Sequence, residues 1–324
     1  MSTRRAALKA LAAAPLALSS WRAGAQDSQQ VITVLVGAGT SMDVFARLVA
    51  DQLQTSLKRP AIVVSKLGAG QRVALGEARR AAPDGRTLIY ATSGPFAIYP
   101  HIYTKLDYDP DRDFTPIAGI TTFDVAISTG PMTGATDLKQ LIAWARAQGD
   151  RAVFGSAPGN GSLSHFMGIS LNLATGLKMT HVPYKDSGVG LLDVAGGRLP
   201  IMITGLSGTQ AELHAAGKIR ILAVSGEQRA ALAPDVPTLK EAGFDMSSST
   251  STGLFGPAKM APDLVARLYD AVQPIFAPAL QQKFVLQGMT PWPRTGAQFA
   301  ASMVEERKHF QELVKASGYV PEPA

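Results

Sequence analysis

From Val31 onward, short runs rich in β-branched residues alternate with longer stretches whose apolar positions recur at helical spacing. This alternation predicts an α/β fold with largely parallel sheets flanked by helices. Strands are expected at 32–36, 61–65, 87–91, 118–128, 152–155, 178–183, 199–204, 219–224 and 253–256. Helices are expected at 43–57, 137–147, 165–174, 188–195, 262–276 and 296–316. In the first helix Val44, Leu48, Val49 and Leu53 are the positions predicted to face a sheet, with Arg47 and Asp51 turned outward. Residues that fix φ, permit positive φ or bond their own backbone mark loops at 82–85, 109–111, 196–197 and 234–237. The serine-rich stretch 247–251 reads as a loop before a returning strand.

Two of these strands end in a glycine-rich turn that opens a helix: Gly37-Ala38-Gly39-Thr40-Ser41 after Val36, and Gly159-Asn160-Gly161-Ser162 beyond Phe154. The first amides of a helix lack internal acceptors, and the helix dipole adds partial positive charge there, so such turns suit an anion. One turn in each half of the chain predicts a pair of lobes closing on a small carboxylate or another anion. A dinucleotide fingerprint fails at the first turn, because Met42 stands at the third glycine position.

Composition narrows the classes further. Arg4, Arg5 and Lys9 precede a short apolar run through Leu18 and then Ala23-Gly24-Ala25, the pattern of an export signal cut after residue 25. The adjacent arginines favour the twin-arginine route; Ala7, where that signal usually carries Phe, leaves general secretion open. Cleavage removes four basic residues and no acid, so the formal charge falls from +6 to +2. A charge this small, with no basic run interleaved with aromatics, argues against nucleic acid as a partner. With no cysteine, disulfides, thiolate nucleophiles and Cys-ligated metal centres are excluded. No cofactor or metal is expected. A mature chain of about 300 residues sits where one core divides into two domains. No later segment is long and apolar enough to span a bilayer.

Taken in order, several segments resemble the Bug family (TctC-type) of periplasmic solute-binding receptors, which serve tripartite tricarboxylate transporters. The resemblance rests on Leu106-Asp107-Tyr108-Asp109-Pro110 with Asp113-Phe114-Thr115-Pro116, on Gly159-Asn160-Gly161-Ser162 with His165, and on His181-Val182-Pro183-Tyr184-Lys185. It continues through Pro234-Asp235-Val236-Pro237-Thr238, Glu241-Ala242-Gly243 and Gly256-Pro257-Ala258, and so covers nearly the whole mature chain. It implies a two-lobed type II periplasmic binding protein fold with the ligand cleft between the lobes. Lobe 1 would comprise 27–122 plus 250–324 and lobe 2 residues 123–249, with hinge crossings near 117–128 and 248–255. The implied role is capture of a solute by hinge closure and its delivery to the membrane subunits of a transporter. A monomer fits a hinge that must open and close.

The resemblance also places candidate ligand contacts. Family members have a longer, proline-rich first turn; here it is shortened by two residues, so the pocket floor is expected to differ at Gly37, Ala38, Gly39, Thr40 and Ser41. Gly159, Asn160, Gly161, Ser162 and Ser164 correspond to a second carboxylate-holding loop, and His165 either touches ligand or tethers that loop. Thr92 and Ser93 either line the cleft or cap a helix. Tyr184, Lys185 and Asp186 end another strand; Lys185 is a carboxylate partner or a solvated lysine. Thr204 offers a neutral hydroxyl where some members carry an acid suited to an ammonium group. A mono- or dicarboxylate, aromatic acids included, therefore ranks ahead of an amino acid, for which Asp186 would have to serve. Two other classes remain: the same module presenting ligand to a periplasmic sensor ectodomain, and an exported α/β hydrolase. Against the latter, there is no G-x-S-x-G elbow, no H-E-x-x-H, and no nucleophile spacing around the five histidines, so the chain is not expected to be an enzyme.

Overall fold

The computed structural model describes residues 30–37 and 40–323, and for Thr40 and Ser41 the backbone alone; the expected export signal lies outside the described residues. The first parallel unit comprises β1 (Ile32–Val36), β2 (Ala61–Ser65) and β3 (Thr87–Thr92), with β1 parallel to both neighbours. The second comprises β5 (Val153–Ser156), β6 (Thr180–Pro183) and β7 (Ile201–Gly205), again with the first of them in the middle. Between them run β4 (Phe114–Thr129) and β9 (Ser249–Pro257), antiparallel to each other, giving the order β2-β1-β3-β9-β4-β7-β5-β6. Two further strands pair with β4: β8 (Arg220–Val224) and β10 (Met289–Thr295). Up to Asp124, β4 is bonded to β9; from Val125 it is bonded to β7 and then β8. One strand thus belongs to both halves of a curled mixed sheet.

Helices α1 (Thr40–Leu57), α2 (Arg72–Arg79), α3 (Gly94–Ala97) and α4 (Tyr99–Ile102) accompany the first unit. The second carries α5 (Leu138–Gln148), α6 (Leu163–Thr175), α7 (Ser187–Ala195) and α8 (Gly208–Ala215). The chain then returns through α9 (Pro262–Val272), α10 (Pro278–Leu286) and the long α11 (Gly296–Ser317). Helix starts follow the cap residues: Asp137, Ser162, Asp186 and Ser207 each accept an amide of the first turn, and Thr295 with Gln298 forms a full capping box.

Each unit has its own core. Val34, Phe45, Leu53, Tyr90 and Leu254 are fully buried in the first, and Phe154, Phe166, Ile201 and Ile203 in the second. The second core also takes in Ile102 of α4 with Phe310 and Val314 of α11, and the Phe166 and Phe310 rings lie 6.2 Å apart. Helix α11 therefore packs on both units.

Four features depart from the sequence reading. Val44 is 43% exposed, because α1 turns Met42, Phe45, Ala46 and Val49 inward and Phe45 against Phe284 fixes that rotation. Ser249 to Ser251 are not loop; they begin β9 and pair with 122–124 of β4. Strand β10, a segment with no expected element, carries Pro291 and Pro293; with β4 on one side only, the ladder shifts register between Pro291 and Arg294. The expected largely parallel sheets hold within each trio, while the shared strands run antiparallel.

Candidate functional site

In open α/β sheets the crevice beyond the carboxyl ends of the strands is where ligands sit. Here β5, β6 and β7 each run directly into a helix, and the caps of α6, α7 and α8 face a common space. His165 N–H donates to Ser162 Oγ at 3.2 Å, Val189 N–H to Asp186 Oδ1 at 3.1 Å, and Gln210 N–H to Ser207 Oγ at 3.4 Å. The space is a cavity of about 370 Å³ between the two units. Its far wall comes from Met42, Gln71, Thr92, Ile98 and Tyr99; the crossing strands add Phe123, Val125 and Thr250.

The turn 159–162 is held by its own side chains. Ser162 Oγ donates to the Gly159 carbonyl at 2.7 Å, and Ser156 Oγ reaches the same oxygen at 3.3 Å. Gly161 N–H donates to His165 Nδ1 at 3.2 Å. Gly161 has a φ of +71°, which favours glycine, and a Cβ there would stand 2.2 Å from Ile102 Cδ1 of α4 and displace that side chain. His165 stacks on His181 with ring centroids 3.9 Å apart, and His181 Nε2 meets Ser156 Oγ at 2.7 Å. Burial pushes both imidazoles down to about 4, with the neighbouring His165 adding to the shift at His181. Both rings are neutral at physiological pH. Of the two readings of His165, this geometry is that of the loop tether.

Gly161, Ser162 and Ser164 line the cavity, while Gly159, buried, and Asn160, exposed, are not among its lining residues. The Leu163 and Ser164 amides, at the first positions of α6, have no acceptor among the described residues. Lys185 and Asp186 stand exposed at the rim, the one cation and the one anion among the described lining residues. Tyr184 donates its hydroxyl to Asp193 Oδ2 at 2.9 Å and packs with Leu191 and Leu199, away from the cavity lining. Thr204 lines the cavity, and its hydroxyl, like that of Thr250, has no partner among the described residues.

On the opposite wall Thr92 is a lining residue and Ser93 is not. Ser93 is buried, its N–H donates to the Ser251 carbonyl at 2.8 Å, and it stands beside the carboxyl of Glu306. Gly37 follows β1 and is buried against Gln71. Ala38 and Gly39 lie outside the described residues, while Thr40 and Ser41 open α1.

Sequence reasoning missed Gln71 and the apolar wall of Met42, Ile98, Phe123 and Met289. Gln71 follows Gly68-Ala69-Gly70, a third glycine-rich turn after a strand and before a helix, and that was a usable signal. The apolar positions carry no such mark, since they come from separate segments and each looks like core. No cluster of metal-ligating side chains is gathered among the described residues, and none of the described helices is long and apolar enough to cross a membrane.

Two α/β units joined by shared strands, with helix N-termini converging on the cleft between them, define a type II periplasmic binding protein. The chain belongs to the tripartite tricarboxylate transporter family receptors, whose family model matches residues 45–319. This is a family of periplasmic solute-binding receptors, not enzymes. Among its relatives is a UPF0065 protein of Bordetella bronchiseptica, 33% identical over 90% of this chain and 86% of that one. Among solved structures, R. palustris Rpa4515 with adipate superposes with a TM-score of 0.81 at 27% identity, covering 90% of this chain and 98% of that one. MatC from Rhodopseudomonas palustris with bound malate gives 0.77 at 27% identity, covering 88% and 98%.

Proposed function

We propose that this protein captures a small carboxylate in the periplasm by closing its lobes, and hands it to the membrane subunits of a tripartite tricarboxylate-type transporter. The observation that carries the reading is the unspent Leu163 and Ser164 amides at the start of α6, inside a cleft whose rim holds Lys185. A carboxylate is the ligand group that accepts from two adjacent amides and a helix dipole together. The hydroxyls of Thr92, Thr204 and Thr250 supply further donors, and the wall of Met42, Ile98, Phe123 and Met289 suits an aliphatic or aromatic body. Micromolar affinity needs about 8 kcal/mol, within reach of a few charge-assisted hydrogen bonds of roughly 1.5–3 kcal/mol each plus apolar burial, after the costs of closure. That similar proteins carry adipate and malate in their solved structures favours the same ligand class here.

In this reading 27–122 with 250–324 moves against 123–249 about β4 and β9, the mature chain is a monomer, and residues 1–25 direct export. The test is thermal unfolding of mature protein, refolded free of carried-over ligand, against mono-, di- and tricarboxylates, aromatic acids and amino acids. A ligand at a hundredfold excess over its Kd adds about 2.7 kcal/mol of stability. A saturable shift from one carboxylate class supports the proposal; no shift from any panel member overturns it. An amino-acid ligand is the second reading, because Asp186 lines the same cleft and its Oδ2 has no partner among the described residues; amino acids shifting best would select it.

A further inference from the structure

The loop ahead of α2 is an unusual piece of backbone. Gly68, Ala69, Gly70 and Gln71 all have positive φ, at 133°, 45°, 59° and 75°. Ala69 and Gln71 hold a conformation that residues with a Cβ rarely adopt. Gln71 is at the N-cap of α2, yet its side chain makes no cap bond and is 7% exposed. It spans the space to the end of β3, where Gln71 Nε2 donates to Thr92 Oγ1 at 2.6 Å and Thr92 N–H donates to Gln71 Oε1 at 3.2 Å.

This pair has a direction. A backbone N–H can only donate, so the amide oxygen of Gln71 must face it, and the amide nitrogen must then face the Thr92 hydroxyl. The hydroxyl is thereby made an acceptor from Gln71, and its own proton is left to donate elsewhere. Among the described residues it has no acceptor, and both Gln71 and Thr92 line the cleft across from α6. We infer that Gln71 is a positioning residue that occupies one lone pair of the Thr92 hydroxyl and leaves its proton to donate into the cleft, favouring there a second acceptor oxygen, the far carboxylate of a dicarboxylate, opposite the one held at α6. This rests on the carboxylate reading above and narrows it.

The test is isothermal titration at pH 8 of the mature protein and its Q71E, Q71L, T92V and T92S variants. The probes are the straight-chain dicarboxylates from malonate to suberate and the monocarboxylates of matching length. Wild type is expected to prefer a dicarboxylate over its monocarboxylate counterpart. Q71E, which keeps size but cannot donate to the hydroxyl, and T92V are each expected to erase that preference by roughly tenfold or more, and T92S to restore it relative to T92V. The quantity read is the ratio of the two affinities; general loosening of the fold lowers both affinities and leaves their ratio in place. Combined Q71L and T92V should cost no more than either alone, as one unit would. An unchanged ratio in Q71E and T92V overturns the inference while leaving carboxylate capture intact. Wild-type binding of monocarboxylates with no dicarboxylate preference overturns it in the same way, and binding of neither overturns both.

Discussion

Lys185 stands at the mouth of the cleft without an ion-pair partner among the described residues, so its field is open to an entering anion and equally to salt. K185M is expected to weaken carboxylate binding by roughly two- to fivefold in dilute buffer, the range of an exposed ion pair, with the difference shrinking in molar salt. Titrations at both ionic strengths check this; a loss that persists in salt would assign Lys185 a desolvated contact. The stacked histidines behind the loop give a second residue-scale expectation. His165 falls from its ordinary 6.5 to about 4 in the folded protein, so between those values the unfolded chain binds the proton that the folded one refuses. Stability is therefore expected to drop as pH falls from about 6.5 towards 4. H165N keeps an acceptor for the Gly161 amide and cannot titrate, so its melting temperature should vary less with pH across that window. An equally steep profile would place the acid sensitivity elsewhere.

Where elements meet, α11 bonds to β9 through Glu306, whose Oε1 accepts from Ser251 Oγ at 2.7 Å while Oε2 is buried with no partner. Burial holds this carboxyl above the usual glutamate range. A raised folded value means full stability at low pH and a loss as pH rises through it, because the unfolded chain ionises first. E306Q, which cannot ionise, removes that loss and should be more stable than wild type at pH 7. The gain should vanish below the glutamate range; urea unfolding at both pH values tests it. Legibility in the sequence was also set at this scale. Strands such as β1 and β2 could be placed because alternation and β-branching mark them locally. Strand β10 could not, because its prolines are tolerated only through having β4 on one side, a tertiary fact. The turn around Ser162 was visible as a glycine-rich helix start, whereas Gln71 acts through a contact with Thr92, twenty-one residues away, that no local pattern encodes. Phe123 and Met289 are apolar residues like any others until β4 and β10 set them side by side.

For the molecule as a whole, the proposed closure has a size signature. Addition of the carboxylate that shifts the melting curve most should lower the radius of gyration measured by small-angle scattering, and no change would argue for a cleft that is already shut. Because α11 packs on both units, with Phe310 against Phe166, any such motion has to keep or slide that contact.

The strand order has a further consequence for how the chain comes into being. Between β3 and β4 lies β9, which is made only after the entire second unit. A growing chain emerges with β1 to β4 already present and their central neighbour missing, so the first sheet has unpaired edges and an open core until synthesis is almost finished. The second unit has all its inner strands from β5 to β8 much earlier. Order of appearance and order of completion are thus reversed, and the amino-terminal half stays incompletely paired until β9, near the end of the chain, has been made.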